Sequence, residues 1–237
     1  MPTNRLLRNK VVRADYDDIV YCHMALEAQD IFESDPLWQP YFHKTGIYWM
    51  CRSEYAQEVI DNYKKLGRQA DLSAVPIAEA RKLYGGLFED ADYTDVKEVL
   101  VNKTSGWAAA GDCLRAVTKR CLELGVKYVV AEVASLQFDN DRCTGLRTAN
   151  GKVLKAEHVI LSTGAYTPKL LELAAARSNR PDIAAGDRIV AGGITTGMTK
   201  LTEESYPRFA NMPVGVQGYT AETGELPVPM RERSMQY

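Results

Sequence analysis

The stretch 157-EHVILSTGAYTPKLL-171 runs from an apolar set through Thr163-Gly164-Ala165 into a second apolar set at Tyr166, Leu170 and Leu171. It reads as a strand that stops on a glycine and turns at once into a helix. Two explanations are open for such a turn. In a nucleotide-binding α/β protein the glycine lets backbone approach a ligand that a side chain would exclude. In an ordinary α/β domain it ends a buried strand.

Working back from that turn, 108-AAAGDCLRAVTKRCLELG-125 carries a stripe of Ala110, Cys113, Leu114, Val117, Cys121 and Leu124 at helical spacing. The spacing predicts a helix whose Cys113, Leu114, Val117 and Cys121 are buried against a sheet. Strands are expected at 126–139, 142–148, 152–157 and 158–163. Asn140-Asp141 and Asn150-Gly151 mark the turns between them, Asn-Gly being a strong hairpin signal. The predicted order is helix, strand, antiparallel meander, returning strand.

Nearer the start, Ile19, Cys22, Leu26 and Ile31 predict a helix over 15–33, with Asp15, Asp17 and Asp18 at its positive end. The run 46-GIYWMC-51 reads as a buried strand, followed by a helix over 54–67 capped by Ser53 and a shorter one over 76–84. After Pro181 the texture changes. Strands are expected over 188–201 and 213–220, with a domain boundary near residue 185.

With 237 residues, 46% hydrophobic and 25% charged, the chain is long enough for one large or two small globular domains. Its net charge of -2 and scattered Lys and Arg give no nucleic-acid surface. Five dispersed cysteines and three histidines form no metal-ligand spacing, so no metal is expected. An odd cysteine count suits reduced thiols, and a cytoplasmic location is expected. No apolar run reaches the roughly 18 residues of a membrane span. Gly-x-Ser-x-Gly, His-Glu-x-x-His and paired carboxylates are absent from the sequence, so hydrolysis is not suggested.

Four stretches together resemble one family: 9-NKVVRADYDD-18, 105-SGWAAAGDCLRAVTKRCLELGVKYV-129, 132-EV-133 and 158-HVILSTGAYTPKLL-171. Their order and spacing resemble the flavin-dependent amine oxidases of the D-amino-acid oxidase superfamily, most closely fungal fructosyl-amino-acid oxidases and saccharopine or sarcosine oxidase-like proteins. The resemblance implies an α/β fold of α+β character: a partial FAD-binding domain with a β-meander (1–42 and 103–185), and part of a mixed-sheet substrate domain (43–102 and 186–237). A complete member begins with a strand and GxGxxG, which hold the FAD diphosphate. No such motif occurs here. The GGITTG at 192–197 reads as small residues of a second-domain strand. The sequence is therefore expected to be truncated at both ends, without the family's flavin-linking cysteine context.

By this resemblance Lys10 lies near the flavin ring, where its charge can stabilise developing negative charge. Val133 matches a backbone contact to adenosine, and Ser162, Thr163, Gly164 and Ala165 match the turn near the diphosphate and ribityl chain. Arg13 and Tyr16 match as packing residues. Trp107 and Tyr48 are substrate-pocket candidates, with core packing the competing role for each. The implied chemistry is FAD-dependent oxidation of a C–N bond in an amine or amino acid. FAD is expected to bind this chain weakly or not at all, since its diphosphate cradle is missing. The alternative is a cofactor-free small-molecule binder or non-redox enzyme of secondary metabolism. A small amine or amino acid is the expected partner, neither nucleic acid nor membrane is, and a homo-oligomer stays open.

Overall fold

A computed structural model describes residues 9–190 and 199–217. In chain order Lys10–Val12 (β1) leads to Ile19–Ser34 (α1), Phe42–His43 (β2), Ile47–Cys51 (β3), Tyr55–Lys65 (α2), Leu72–Val75 (β4) and Ile77–Ala80 (α3). Glu98–Asn102 (β5), Gly106–Ala108 (β6) and Ala110–Glu123 (α4) follow. The meander is Val133–Asp139 (β7), Arg142–Thr148 (β8) and Val153–Lys155 (β9), and after it come Thr167–Ser178 (α5), Tyr206–Phe209 (α6) and Val214–Gln217 (β10). The fold is the mixed α/β type expected. It divides into two compact units, one of residues 1–125 with 198–237 and one of 126–197.

In the first unit β3 is central, and its alternation generates two cores. Cys51 packs with Leu100, Cys22, Leu26, Ala56, Val59 and Tyr63 on the side of α1 and α2. Tyr48 and Met50 pack with Val99, Val101, Ala80, Phe88, Val96 and Met212 on the other. β3 pairs antiparallel with β5, β5 with β4, and β10 joins the other edge parallel to β3. Thus the strand expected from 213 does share a sheet with the strand expected from 46; residues 218–220 of that expected strand lie outside the described residues. A second sheet has the order β1-β6-β2, all antiparallel. Gly106 in β6 is obligatory there, because a Cβ would sit 2.0 Å from the carbonyl oxygen of His43.

Asp15 is the clearest departure from the sequence reading. It lies outside α1, whose N-cap is Asp18, accepting from the amides of Val20 and Tyr21. Asp15 itself is 0% exposed. Its Oδ1 accepts from Asn102 Nδ2 at 2.6 Å and its Oδ2 from Ser105 Oγ at 2.8 Å. Asn62 Nδ2 donates to the carbonyls of Tyr16 and Asp17 at 3.0 and 2.6 Å. Arg13 donates to the Asp15 carbonyl and stacks over the rings of Tyr16 and Trp49, the packing role expected of Arg13 and Tyr16. On α1, Cys22, Leu26 and Gln29 face inward while Ile19 and Ile31 are exposed. Ser53 does not cap α2, whose N-cap is Glu54, and the helix expected over 76–84 shrinks to α3 plus a 3-10 turn over Leu83–Gly86.

The second unit holds the meander β7-β8-β9, with bulges near Val133 and Gln137. Leu170 and Ala174 of α5 pack on Leu136, with Val133, Val159 and Leu161 against the same cluster. Of the strand expected over 126–139 only Val133–Asp139 forms, and the strand expected over 158–163 does not. Lateral hydrogen bonds define a strand, and among the described residues neither 126–131 nor 158–162 makes a backbone hydrogen bond. The expected burial of α4 is corrected too: Cys113 is buried and Val117 and Cys121 half-buried, but Leu114 is 68% exposed. Of the strand expected over 188–201, residues 191–198 lie outside the described residues.

Burial pushes the Asp15 carboxyl above its ordinary 3.8, against the opposing help of Asn102, Ser105 and Arg13. A raised carboxyl favours the folded state when protonated, so this contribution is full below 3.8 and declines as pH rises through the raised value. Asp15→Asn is expected to flatten that decline in urea-unfolding midpoints measured from pH 3.5 upward. Asp15→Ala is expected to lose about 2 to 6 kcal/mol, from two orphaned buried donors at roughly 1–3 each.

Candidate functional site

β1 and β6 are short, yet their pairing decides where a site can form. Val11 lies opposite Trp107 and Lys10 opposite Ala108. On its other side Trp107 pairs with His43, and the two rings stack at 4.0 Å with an interplanar angle of 21°. This stacking and the cross-strand neighbours hold the indole in place.

Against this edge lies a cavity of about 210 Å³, lined by Lys10, Val11 and Trp107 from one side. Leu201, Tyr206, Phe209, Met212 and Val214 line the other. The lining is mostly apolar and aromatic, as small-molecule sites usually are. Among the described residues the Lys10 ammonium makes no ion pair, so it supplies positive charge at an apolar cavity. Such a pairing suits a ligand with an apolar body and an anionic group, in particular a carboxylate.

The structure therefore brings Lys10 and Trp107 together. Tyr48 is elsewhere: it is 0% exposed, stacked on Phe88 at 4.3 Å, with its hydroxyl 2.6 Å from that of Tyr93. Burial and this hydrogen bond both push its phenol further up. It packs the core. The residues that sequence reasoning missed are Tyr206, Phe209 and Met212. They belong to no motif, and only the pairing of β10 with β3 carries their segment to the cavity.

In the second unit Val133 is half-buried on the cluster that also holds Val159 and Leu161. Ser162, Thr163, Gly164 and Ala165 are exposed, and Gly164 has φ +53° with open space where a Cβ would stand. The Thr163 and Thr167 hydroxyls lie 2.8 Å apart at the start of α5, whose first turn includes Pro168. This turn carries no charged side chain. A dinucleotide's diphosphate needs a run of backbone N–H groups at a glycine-rich helix start, which this turn does not supply.

Residues 8–215 match the family described as DAO, FAD dependent oxidoreductase, and the chain belongs to that family. The L-saccharopine oxidase of Schizosaccharomyces pombe is 26% identical over 229 residues, covering 87% of this chain and 49% of that protein. Fructosyl peptide oxidase from E. terrenum shares the fold, with a TM-score of 0.64 at 19% identity over 88% of this chain and 47% of its own. The Aspergillus fumigatus fructosamine oxidase Amadoriase II gives a TM-score of 0.56 at 28% identity over 67% of this chain and 39% of its own. The chain spans about half the length of the curated relative it matches over most of its own length. No described helix is long and apolar enough to cross a membrane.

Two causes for Gly164 separate experimentally. Its left-handed backbone alone makes Gly164→Ala cost about 1–2 kcal/mol in chemical unfolding, with no clash added. Any further loss that shows only in FAD titration reports close approach of a ligand.

Proposed function

We propose that the chain carries the substrate side and the meander of an FAD-dependent oxidase acting on the C–N bond of an amino acid or amine, of the saccharopine or fructosyl-amino-acid type. The observation that supports this reading is the cavity shared by Lys10 and Trp107 with Tyr206, Phe209 and Met212. In the proposed division by role, residues 1–42 and 103–185 serve the cofactor, and 43–102 and 186–237 the substrate. The cavity is lined by residues of both groups.

FAD, if bound, would supply two-electron oxidation of the C–N bond, with oxygen as the final acceptor and hydrogen peroxide as its product. The chain's own residues bind and orient. Lys10 attracts negative charge, Trp107 and Phe209 enclose the apolar part of the substrate, and the stacked His43 keeps the indole from turning away.

The test is peroxide release from the full chain with L-saccharopine or fructosyl amino acids, at FAD concentrations high enough to overcome weak binding. The isolated chain is expected to hold FAD about two to four orders of magnitude less tightly than a protein with the full diphosphate cradle, from two lost charge-assisted hydrogen bonds. Turnover that falls about a hundredfold in Lys10→Met supports the reading. A second reading, a cofactor-free binder of small amino acids, is favoured by one observation: the cavity is built from the first unit alone. Equal substrate binding with and without FAD, and no peroxide at any FAD concentration, would select it.

A further inference from the structure

Two buried polar atoms of the first unit have no hydrogen-bond partner among the described residues, Gln29 Oε1 and Thr45 Oγ1. Native proteins leave few such atoms, and each calls for an explanation. Gln29 is on the inward face of α1 and only 4% exposed. Its Nε2 donates to the Thr104 carbonyl, which fixes the orientation of the amide. Turned over, the amide would set Oε1 against that carbonyl, acceptor on acceptor. Oε1 therefore stays where it is and needs a donor.

The two atoms belong to one neighbourhood. Thr45 stands in the loop between β2 and β3, where the Gly46 amide donates to the Ser105 carbonyl at 2.8 Å, next to the Thr104 that Gln29 holds. On the other side of Thr45 the Lys44 ammonium pairs with Glu33 at 2.9 Å, and Glu33 lies about one helical turn beyond Gln29 on α1. The loop is thus tied to α1 at Glu33 and to the β5–β6 turn at Ser105. Gln29 and Thr45 each adjoin both ties.

Gln29 Oε1 only accepts, while the Thr45 hydroxyl donates or accepts; the two make no bond to each other. A water molecule can donate to Gln29 and either donate to or accept from Thr45, and buried waters take such places. A metal cation fits less well. It needs more oxygens than these two and a compensating charge, and the buried carboxylate of Asp15 is committed to Asn102 and Ser105.

We propose that Gln29 and Thr45 bind one buried water molecule, which joins α1 to the loop after His43 and so positions the stacked His43–Trp107 pair at the cavity. His43 is two residues before Thr45, and Trp107 two residues after Ser105. The water belongs to the frame of the cavity and not to its chemistry, so failure of the oxidase reading leaves it untouched.

The experiment is a crystal structure of the full chain at a resolution that shows ordered water, with unfolding equilibria of Thr45→Ser, Thr45→Val, Gln29→Leu and the double variant Gln29→Leu with Thr45→Val. One density peak about 2.5–3.2 Å from both atoms, unchanged when sodium is exchanged for rubidium, supports the proposal. Thr45→Val is expected to lower the folding constant about tenfold and Thr45→Ser less than about threefold, because serine keeps the hydroxyl. With the water shared, the loss in the double variant falls short of the product of the single losses by at least about fivefold. The amides of 43–46 and 104–107 should exchange faster in Thr45→Val and not in Thr45→Ser. A direct Gln29–Thr45 hydrogen bond, a separate water on each atom, or anomalous scattering from rubidium at the site overturns the proposal. Independent losses in the double variant overturn it too. The structure of the unmodified chain decides the matter even where a variant fails to fold.

Discussion

A carboxylate with no access to water needs donors, and the donors of Asp15 come from the far end of the first unit's sheet. Asn102 closes β5 and Ser105 opens the turn into β6, so the two hydrogen bonds to Asp15 clamp the segment before α1 onto that turn. Asn102 is itself held, since its Oδ1 accepts from the amide and hydroxyl of Thr104. With the segment pinned, β1 has one place to lie, along β6. The position of Lys10 beside Trp107 follows from a buried acid several residues away, which acts through the backbone and touches no ligand.

Packing around β3 supplies the rigid frame for this clamp. A strand buried on both faces commits its neighbours, and here one face takes α1 and α2 while the other takes the aromatic set of Tyr48, Phe88 and Tyr93. Because β10 is parallel to β3, the chain before it must run back along the sheet edge. That return carries α6 and Met212 to the cavity. The opposite wall depends on Gly106, the residue without a side chain that allows β6 to pass close to His43. Clamp and close approach together turn two short strands and a four-residue helix into one concave apolar surface with a cation on it.

The second unit has a different character. Its meander and α5 bury a small cluster around Leu136, Leu170 and Ala174, and its sheet-forming capacity is used only in part.

Periodicity in the sequence was enough to locate α1, α2, α4, β3 and the meander, and four short stretches in order were enough for the family. These are local signals: a stripe every three or four residues, an Asn-Gly turn, a strand ending at a glycine. The opening stretch shows their limit. Its composition is that of a strand, its Gly164 does take a left-handed conformation, and its helix forms, but a strand exists only with neighbours, and among the described residues 158–162 has none. Leu114 fits a buried stripe by spacing and stands exposed. Asp15 was legible as an acid near a helix start and not as the buried clamp it is, because Asn102 and Ser105 lie in another part of the chain. Tertiary structure alone decided that role, the retreat of Tyr48 into the core, and the meeting of Lys10 and Trp107 with Tyr206, Phe209 and Met212, since each depends on hydrogen bonds and packing between segments that no local pattern connects.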